Sequence, residues 1–294
     1  MTKSIRGALY LSLAASIWGG MFVMVRIAVT VIPPVPLVWL RYLTAVAALY
    51  AIGSFRHVSW RIARRDWRLV FLVGFIGHAL SIVTQETGTM LTSAQMGSII
   101  TAATPAFMVL FARLLLGETL TPGRILSVVL ATVGVLCIVA GPSDVKMAGW
   151  LGGLSLTIAA LTWALMSVLL KRLAQYSPVV ITFYGVLVAL LLLTPYSFCW
   201  LQSVPLHSLL APPVCLAVLY LGLVSTTGGF CLWNEGLLLM DASVAGLFFF
   251  FQPVVGTLLG WLCLGEPVTF WFWLGSALVA GGVVLAMRPP ASAK

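Results

Sequence analysis

The sequence predicts an all-α membrane protein of ten transmembrane helices built from two inverted five-helix repeats. Three observations predict it. Of the 294 residues 61% are apolar and 8% charged, whereas a soluble domain carries roughly 25% charged residues to face water. The apolar residues fall into runs near the ~20 residues that a bilayer-crossing helix needs. The chain is also written twice. Leu116-Gly117-Glu118 recurs as Leu264-Gly265-Glu266, Thr104-Pro105 as Gln252-Pro253 and Gly134 as Gly282, all at an offset of 148. An earlier stretch matches at 145, pairing Gly7 with Gly152, Ala14-Ala15 with Ala159-Ala160, Trp18 with Trp163, Arg26 with Lys171 and Pro33 with Pro178. If each copy holds five helices, an odd number of crossings separates equivalent residues. The copies then enter the membrane in opposite senses, and a substrate site falls near the midplane between them.

The first helix is expected over 7–31. Lys3 and Arg6 before an apolar run containing Ala14-Ala15-Ser16 loosely resemble a signal peptide. The run continues through Trp18 towards Pro33, however, and its pattern recurs at 152–171, so it reads as a retained span. The next four spans fall at 36–53, 67–87, 93–115 and 122–140. Gly141-Pro142-Ser143-Asp144 separates the copies, and the second copy follows at 150–171, 178–199, 212–237, 242–263 and 269–287. Pro36, Pro122, Pro178, Pro212 and Pro213 stand at span starts, where a missing N–H costs nothing. The repeats therefore occupy 1–141 and 150–288 of one integral bundle.

With the N-terminus inside, the inner side carries Lys3, Arg6, Arg56, Arg61, Arg64, Arg65, Arg68, Arg113, Arg124, Lys171, Arg172, Arg288 and Lys294. The outer side keeps only Arg26 and Lys146, and Arg41 falls within the second span. Cytoplasmic loops collect Lys and Arg, so both termini are expected in the cytoplasm. The net charge of +9 is thus a topology signal. A helical bundle offers no groove-reading element, and nucleic acid is not expected as a partner. The five cysteines, Cys137, Cys199, Cys215, Cys231 and Cys263, lie in apolar segments without a C-x-x-C pair, and His57, His78 and His207 are far apart, so neither a disulfide framework nor a metal is expected. No phosphate-cradling G-x-x-x-x-G-K-[ST] occurs, and no cofactor is expected.

Trp18-Gly19-Gly20-Met21-Phe22-Val23-Met24-Val25-Arg26, followed by Pro33 through Leu40-Arg41-Tyr42, resembles the opening of the EamA family of the drug/metabolite transporter superfamily. Trp163-Ala164-Leu165 through Lys171-Arg172 resembles the opening of its second copy, and Thr104-Pro105 with Leu116-Gly117-Glu118, and Gln252-Pro253 with Leu264-Gly265-Glu266, resemble the ends of its fourth and ninth spans. The resemblance covers about 7–140 and 150–287 and implies a ten-helix carrier of a bacterial inner membrane, often an exporter of amino acids or other small metabolites. Phe248-Phe249-Phe250-Phe251 is bulkier than the small-residue pattern of the family's ninth span. It is either an aromatic substrate surface or a lipid-facing stripe.

Polar side chains inside a bilayer cost about 2.5–3.5 kcal/mol each and usually face the bundle or a wet cavity. The candidates for substrate binding are Trp18, Arg41, His78, Gln85, Trp163, Tyr184, Asn234 and Gln252. Gln85 is seven residues past His78, on the same helix face. Arg41 either snorkels outward or turns in to hold a carboxylate. Trp18 and Trp163 are repeat partners lying deeper than interfacial tryptophans should. Pro105 and Pro253 are expected to kink their spans where they line a cavity. His78 and Glu86 are the candidates for proton coupling. Glu86, matched to Asn234 in the repeat, reads chiefly as a solvated helix-end residue, so Glu86→Gln is expected to leave transport intact. Gly256 and Gly260 form a G-x-x-x-G read as packing within one chain. Glu118 and Glu266 are read as aids to the helix that follows each.

The expected function is secondary transport of small organic metabolites, amino acids (aromatic or apolar) or related compounds, outward by alternating access. The alternatives are a channel-like facilitator and a membrane-embedded lipid-processing enzyme. Membrane lipid and the solute are the expected partners of a monomer or weak homodimer.

Overall fold

The computed structural model describes residues 3–119, 121–139, 147–264 and 270–287. Regular structure among them is helical throughout, without a strand. In chain order the helices are α1 (Lys3–Ala28), α2 (Pro34–Phe55), α3 (Arg64–Leu91), α4 (Ala94–Leu116), α5 (Pro122–Val139), α6 (Trp150–Leu173), α7 (Pro178–Leu201), α8 (Pro212–Leu238), α9 (Ala242–Cys263) and α10 (Phe270–Met287). All but α5 and α10 are long and apolar enough to cross a membrane, which makes eight such helices among the described residues. Leu110, Leu114, Trp150, Leu191 and Leu216 stand exposed on the outer surface, as a bundle solvated by lipid requires. α1 closes at Ala28, earlier than hydropathy alone suggests. Thr30 donates from Oγ1 to the Ile27 carbonyl (2.7 Å), and Pro33-Pro34 starts the next helix.

Packing exchanges elements between the copies. α1 packs on α8 and α9 of the second copy, while α6 packs on α3 and α4 of the first. α2 lies against α7, and α5 against α10. Each pairing maps onto another, or onto itself, when the copies are swapped.

Two crossings show how the repeat is written in glycine. On the α1–α8 crossing a Cβ added to Gly236 would stand 3.2 Å from the Gly7 carbonyl. On α3–α6 a Cβ added to Gly88 would stand 2.8 Å from the Gly152 carbonyl. Gly7 and Gly152 are repeat partners, as are Gly88 and Gly236. Backbone lies on backbone at both places, the close packing that small residues permit in lipid. Gly256 meets Gly19 of α1 in the same manner, so it serves contact within the chain.

α3 and α8 each contain a stretch wound one residue wider than an α-helix, at Gly74–Leu80 and Tyr220–Gly228. At the 148 offset the first falls within the second, and the two share an end. Such wide turns release carbonyls from the helical ladder and recur at functional sites. α4 and α9 are interrupted instead. α4 turns tightly at Ala102–Ala103 before Pro105, and α9 tightens over Leu247–Phe250 before Pro253. Proline has no N–H to offer the turn before it, so each interruption sits where the ladder is already open.

Candidate functional site

A central cavity is enclosed by three helices from each copy: α1, α3 and α4, and their equivalents α6, α8 and α9. Its walls are Trp18 and Met21; Ser81, Ile82 and Gln85; Thr101 and Thr104; Ala159, Ala160 and Trp163; Phe230; and Phe249 and Gln252. The free space along these walls is about 320 Å³, counted out to the open side, and it is narrow. It is a slot rather than a chamber.

Aromatic rings crowd around Trp18 in the wall of the slot. Trp18 stands with its centroid 5.2 Å from Trp163, 5.8 Å from Phe230, 5.4 Å from Trp233 and 5.5 Å from Phe249. Such offset and edge-on arrangements suit the ring quadrupoles. Phe248, Phe249 and Phe250 are buried, which overturns the lipid-facing reading of the phenylalanine run. The tight turn through Leu247–Phe250 swings Phe249 inward against Trp18 and Trp233.

The two repeat-related tryptophans differ in what their indoles do. Trp18 donates from Nε1 to the Ser225 carbonyl (3.0 Å), a carbonyl within the wide turn of α8. Trp163 Nε1 is buried without a hydrogen-bond partner, as is Gln85 Oε1. The hydroxyls of the walls are already committed. Ser81 donates to the Ala159 carbonyl (2.9 Å), Thr101 to Gly97 (2.7 Å) and Thr104 to Thr101 (2.6 Å). Gln252 Oε1 lies 3.3 Å from Thr101 Oγ1.

Trp18, Gln85, Trp163 and Gln252 thus line the cavity. The other four binding candidates do not. Arg41 turns inward and is fully buried beside the cavity wall. Its Nη1 donates to Glu86 Oε1 (2.8 Å), its Nε to Thr226 Oγ1 (3.0 Å) and its Nη2 to Ser225 Oγ (3.2 Å), with Met21 Sδ at 3.7 Å. This corrects the solvated reading of Glu86: at 1% exposure it is the buried counter-ion of Arg41, joining α2 to α3. In the second copy the corresponding link is neutral, Asn234 Nδ2 donating to Thr182 Oγ1 (2.8 Å) between α8 and α7. Asn234 lines a separate small pocket with Leu170, Pro178 and Leu237. Tyr184 lies apart from the cavity, donating to the Trp60 carbonyl (2.9 Å) and packed against Trp67. The sequence places it mid-apolar, but the loop after α2 folds back over it. His78 is buried outside the lining, stacked on Phe230 (5.1 Å, 13°), with neither ring nitrogen partnered. Pro105 and Pro253 stay behind the wall, and their neighbours Thr104 and Gln252 face the slot.

Three contributions escaped sequence reasoning. Thr101 and Thr104 bring α4 into the wall, and Ser81 tethers α3 to α6; small hydroxyl residues carry no hydropathy signal. Glu118 serves a helix far from it in the chain. Its carboxylate accepts from Ala242 N (2.8 Å), Ser243 N (3.2 Å) and Ser243 Oγ (2.7 Å), capping α9 in the other copy. Glu266 lies outside the described residues. Arg26 and Lys171 form a matched pair of caps, Arg26 donating to the Met90 carbonyl at the end of α3 and Lys171 to the Met240 carbonyl beyond α8.

The family model described as the EamA-like transporter family matches residues 5–140 and 150–288. A probable amino-acid metabolite efflux pump of Escherichia coli (strain K12) is 24% identical over 288 residues, 93% of this chain and 92% of that protein. A riboflavin transporter of Brucella anthropi is 30% identical over 193 residues, 63% of this chain and 64% of that protein. A crystal structure at 23% identity superposes with a TM-score of 0.79, covering 95% of this chain and 96% of the other, and shares the fold.

Proposed function

The chain belongs to the EamA-like transporter family, and on that premise we propose that it is a secondary transporter exporting small organic metabolites by alternating access. The proposed solutes are amino acids, aromatic or apolar, or related compounds, and the proposed setting is a bacterial inner membrane with both termini in the cytoplasm. Its relatives are named transporters, not enzymes.

The observation that carries the reading is the composition of the cavity wall, which takes α1, α3 and α4 from one copy and α6, α8 and α9, their equivalents, from the other. A site shared between two like halves changes its exposure when one half rocks against the other, and the solute need not move. Ten crossings with the second copy inverted would make the swap-symmetric pairing of helices a twofold relation in the membrane plane. Purified protein in liposomes is expected to show saturable counterflow of a solute that fits the slot. Flux that grows in proportion to concentration without saturating would refute a carrier.

Inversion has its own test. Thr30 and Gln175 are repeat partners, both exposed, just beyond α1 and α6. In a chain with its five native cysteines replaced, Thr30→Cys should react with an impermeant reagent on intact cells, and Gln175→Cys only after the membrane is opened. Reaction of both from one side would end the inverted arrangement.

A further inference from the structure

The central cavity is furnished for an uncharged guest. None of the side chains lining it is ionisable, and the nearby guanidinium of Arg41 is already held by Glu86, Ser225 and Thr226. A carboxylate brought there needs several donors and a counter-charge, and the wall offers only the neutral N–H groups of Trp163, Gln85 and Gln252. The hydroxyl protons of Ser81, Thr101 and Thr104 are spent on backbone carbonyls. An ammonium group meets no carboxylate. Burying an unpaired charge in such surroundings is far costlier than burying a neutral polar group with its hydrogen bonds made.

Two buried polar atoms of the wall have no partner, the donor Trp163 Nε1 and the acceptor Gln85 Oε1, each on a side chain more than nine-tenths buried. An orphaned pair of opposite type is rare in a packed interior and calls for a partner. The other walls set the faces and edges of Trp18, Phe230 and Phe249 against Met21, Ile82 and two small alanines across a narrow space. We infer that the cavity selects a planar aromatic solute whose polar group is an uncharged amide or lactam. Its carbonyl accepts from Trp163 Nε1, its N–H donates to Gln85 Oε1, and its ring lies along the aromatic wall. This rests on the transport reading above but moves the solute from the amino acids themselves to the related compounds, favouring neutral aromatic amides over the zwitterionic or anionic forms of the same rings.

The test titrates the purified full-length chain by calorimetry with nicotinamide and indole-3-acetamide, and with nicotinate, indole-3-acetate and L-tryptophan. Both amides are expected to bind saturably, and the charged compounds at least tenfold more weakly. Trp163→Phe, which keeps the ring and removes the donor, and Gln85→Leu should each weaken amide binding about tenfold, the effect of one buried hydrogen bond. Tyr184→Phe, away from the slot, should leave it unchanged. Equal or tighter binding of the charged compounds, no binding of either amide, or unaltered amide affinity in Trp163→Phe overturns the inference. Should a variant fail to fold, the amide-to-acid ratio of the unmodified chain decides alone. Amide binding without amide counterflow in liposomes would sink the transport reading and leave the ligand class standing.

Discussion

Replacing Glu86 by leucine strands a charge that has nowhere to go. Arg41 is 0% exposed and its carboxylate partner 1%, with 2.8 Å between Nη1 and Oε1. At ~4 Å between charge centres and an effective dielectric of about 20, their attraction is ~4 kcal/mol. Removing one partner of a buried pair leaves an uncompensated ion and costs about 3–5 kcal/mol. Ser225 and Thr226 keep accepting from the guanidinium and moderate the loss, so the lower end, about 3 kcal/mol, is expected. Glu86→Gln retains an acceptor and should cost less, about 2 kcal/mol. Both values concern stability; whether Glu86→Gln leaves transport intact, as the sequence leads one to expect, is a separate measurement. The assay is a double-mutant cycle with Arg41→Met, read as denaturation of the detergent-solubilised protein. The pair Arg41→Met/Glu86→Leu buries no charge and should be less destabilised than the sum of its singles by about 2–3 kcal/mol. Strictly additive losses would show that the two side chains do not share an interaction, and the argument would fail.

Gly88→Val drives a side chain into the Gly152 carbonyl and Leu156, the latter 2.5 Å from the position of a Cβ, and should destabilise the protein by about 1–3 kcal/mol in a thermal-unfolding measurement. Glu118→Ala leaves the α9 N-terminus without its carboxylate cap and should cost about 1–2 kcal/mol in the same assay. Thr182→Val removes the acceptor for Asn234 in the second copy; because that link is neutral, its stability loss should stay near 1–2 kcal/mol, below that of Glu86→Leu.

Eight of the ten expected spans, and the doubling, were legible because lipid imposes them on composition: every stretch facing the bilayer must be apolar, and the two halves share their Gly, Pro and Trp. Trp18, Trp163, Gln85 and Gln252 could be placed near a cavity for a similar reason, since a deep indole or amide in lipid needs company. The Arg41–Glu86 pair was not legible. Forty-five positions separate the two, and Glu86 lies close enough to the expected end of its span to pass for a solvated residue. The wide turns of α3 and α8 left no mark either, because hydropathy registers what a residue is and not how tightly its backbone is wound. Tyr184 was misplaced because nothing in its neighbours tells that the Trp60 segment folds back over it.

The packing of α1 on α8 and α9, and of α6 on α3 and α4, has a consequence for how the chain becomes a protein. Neither half owns a finished interior: each lends its opening helix to the other, as two hands clasp. A ribosome that has delivered only the first half has made a product whose leading helix still awaits its principal seat. The halves echo one another in sequence yet share one interior, and severing them between Val139 and Met147 should yield two fragments that persist only in each other's company.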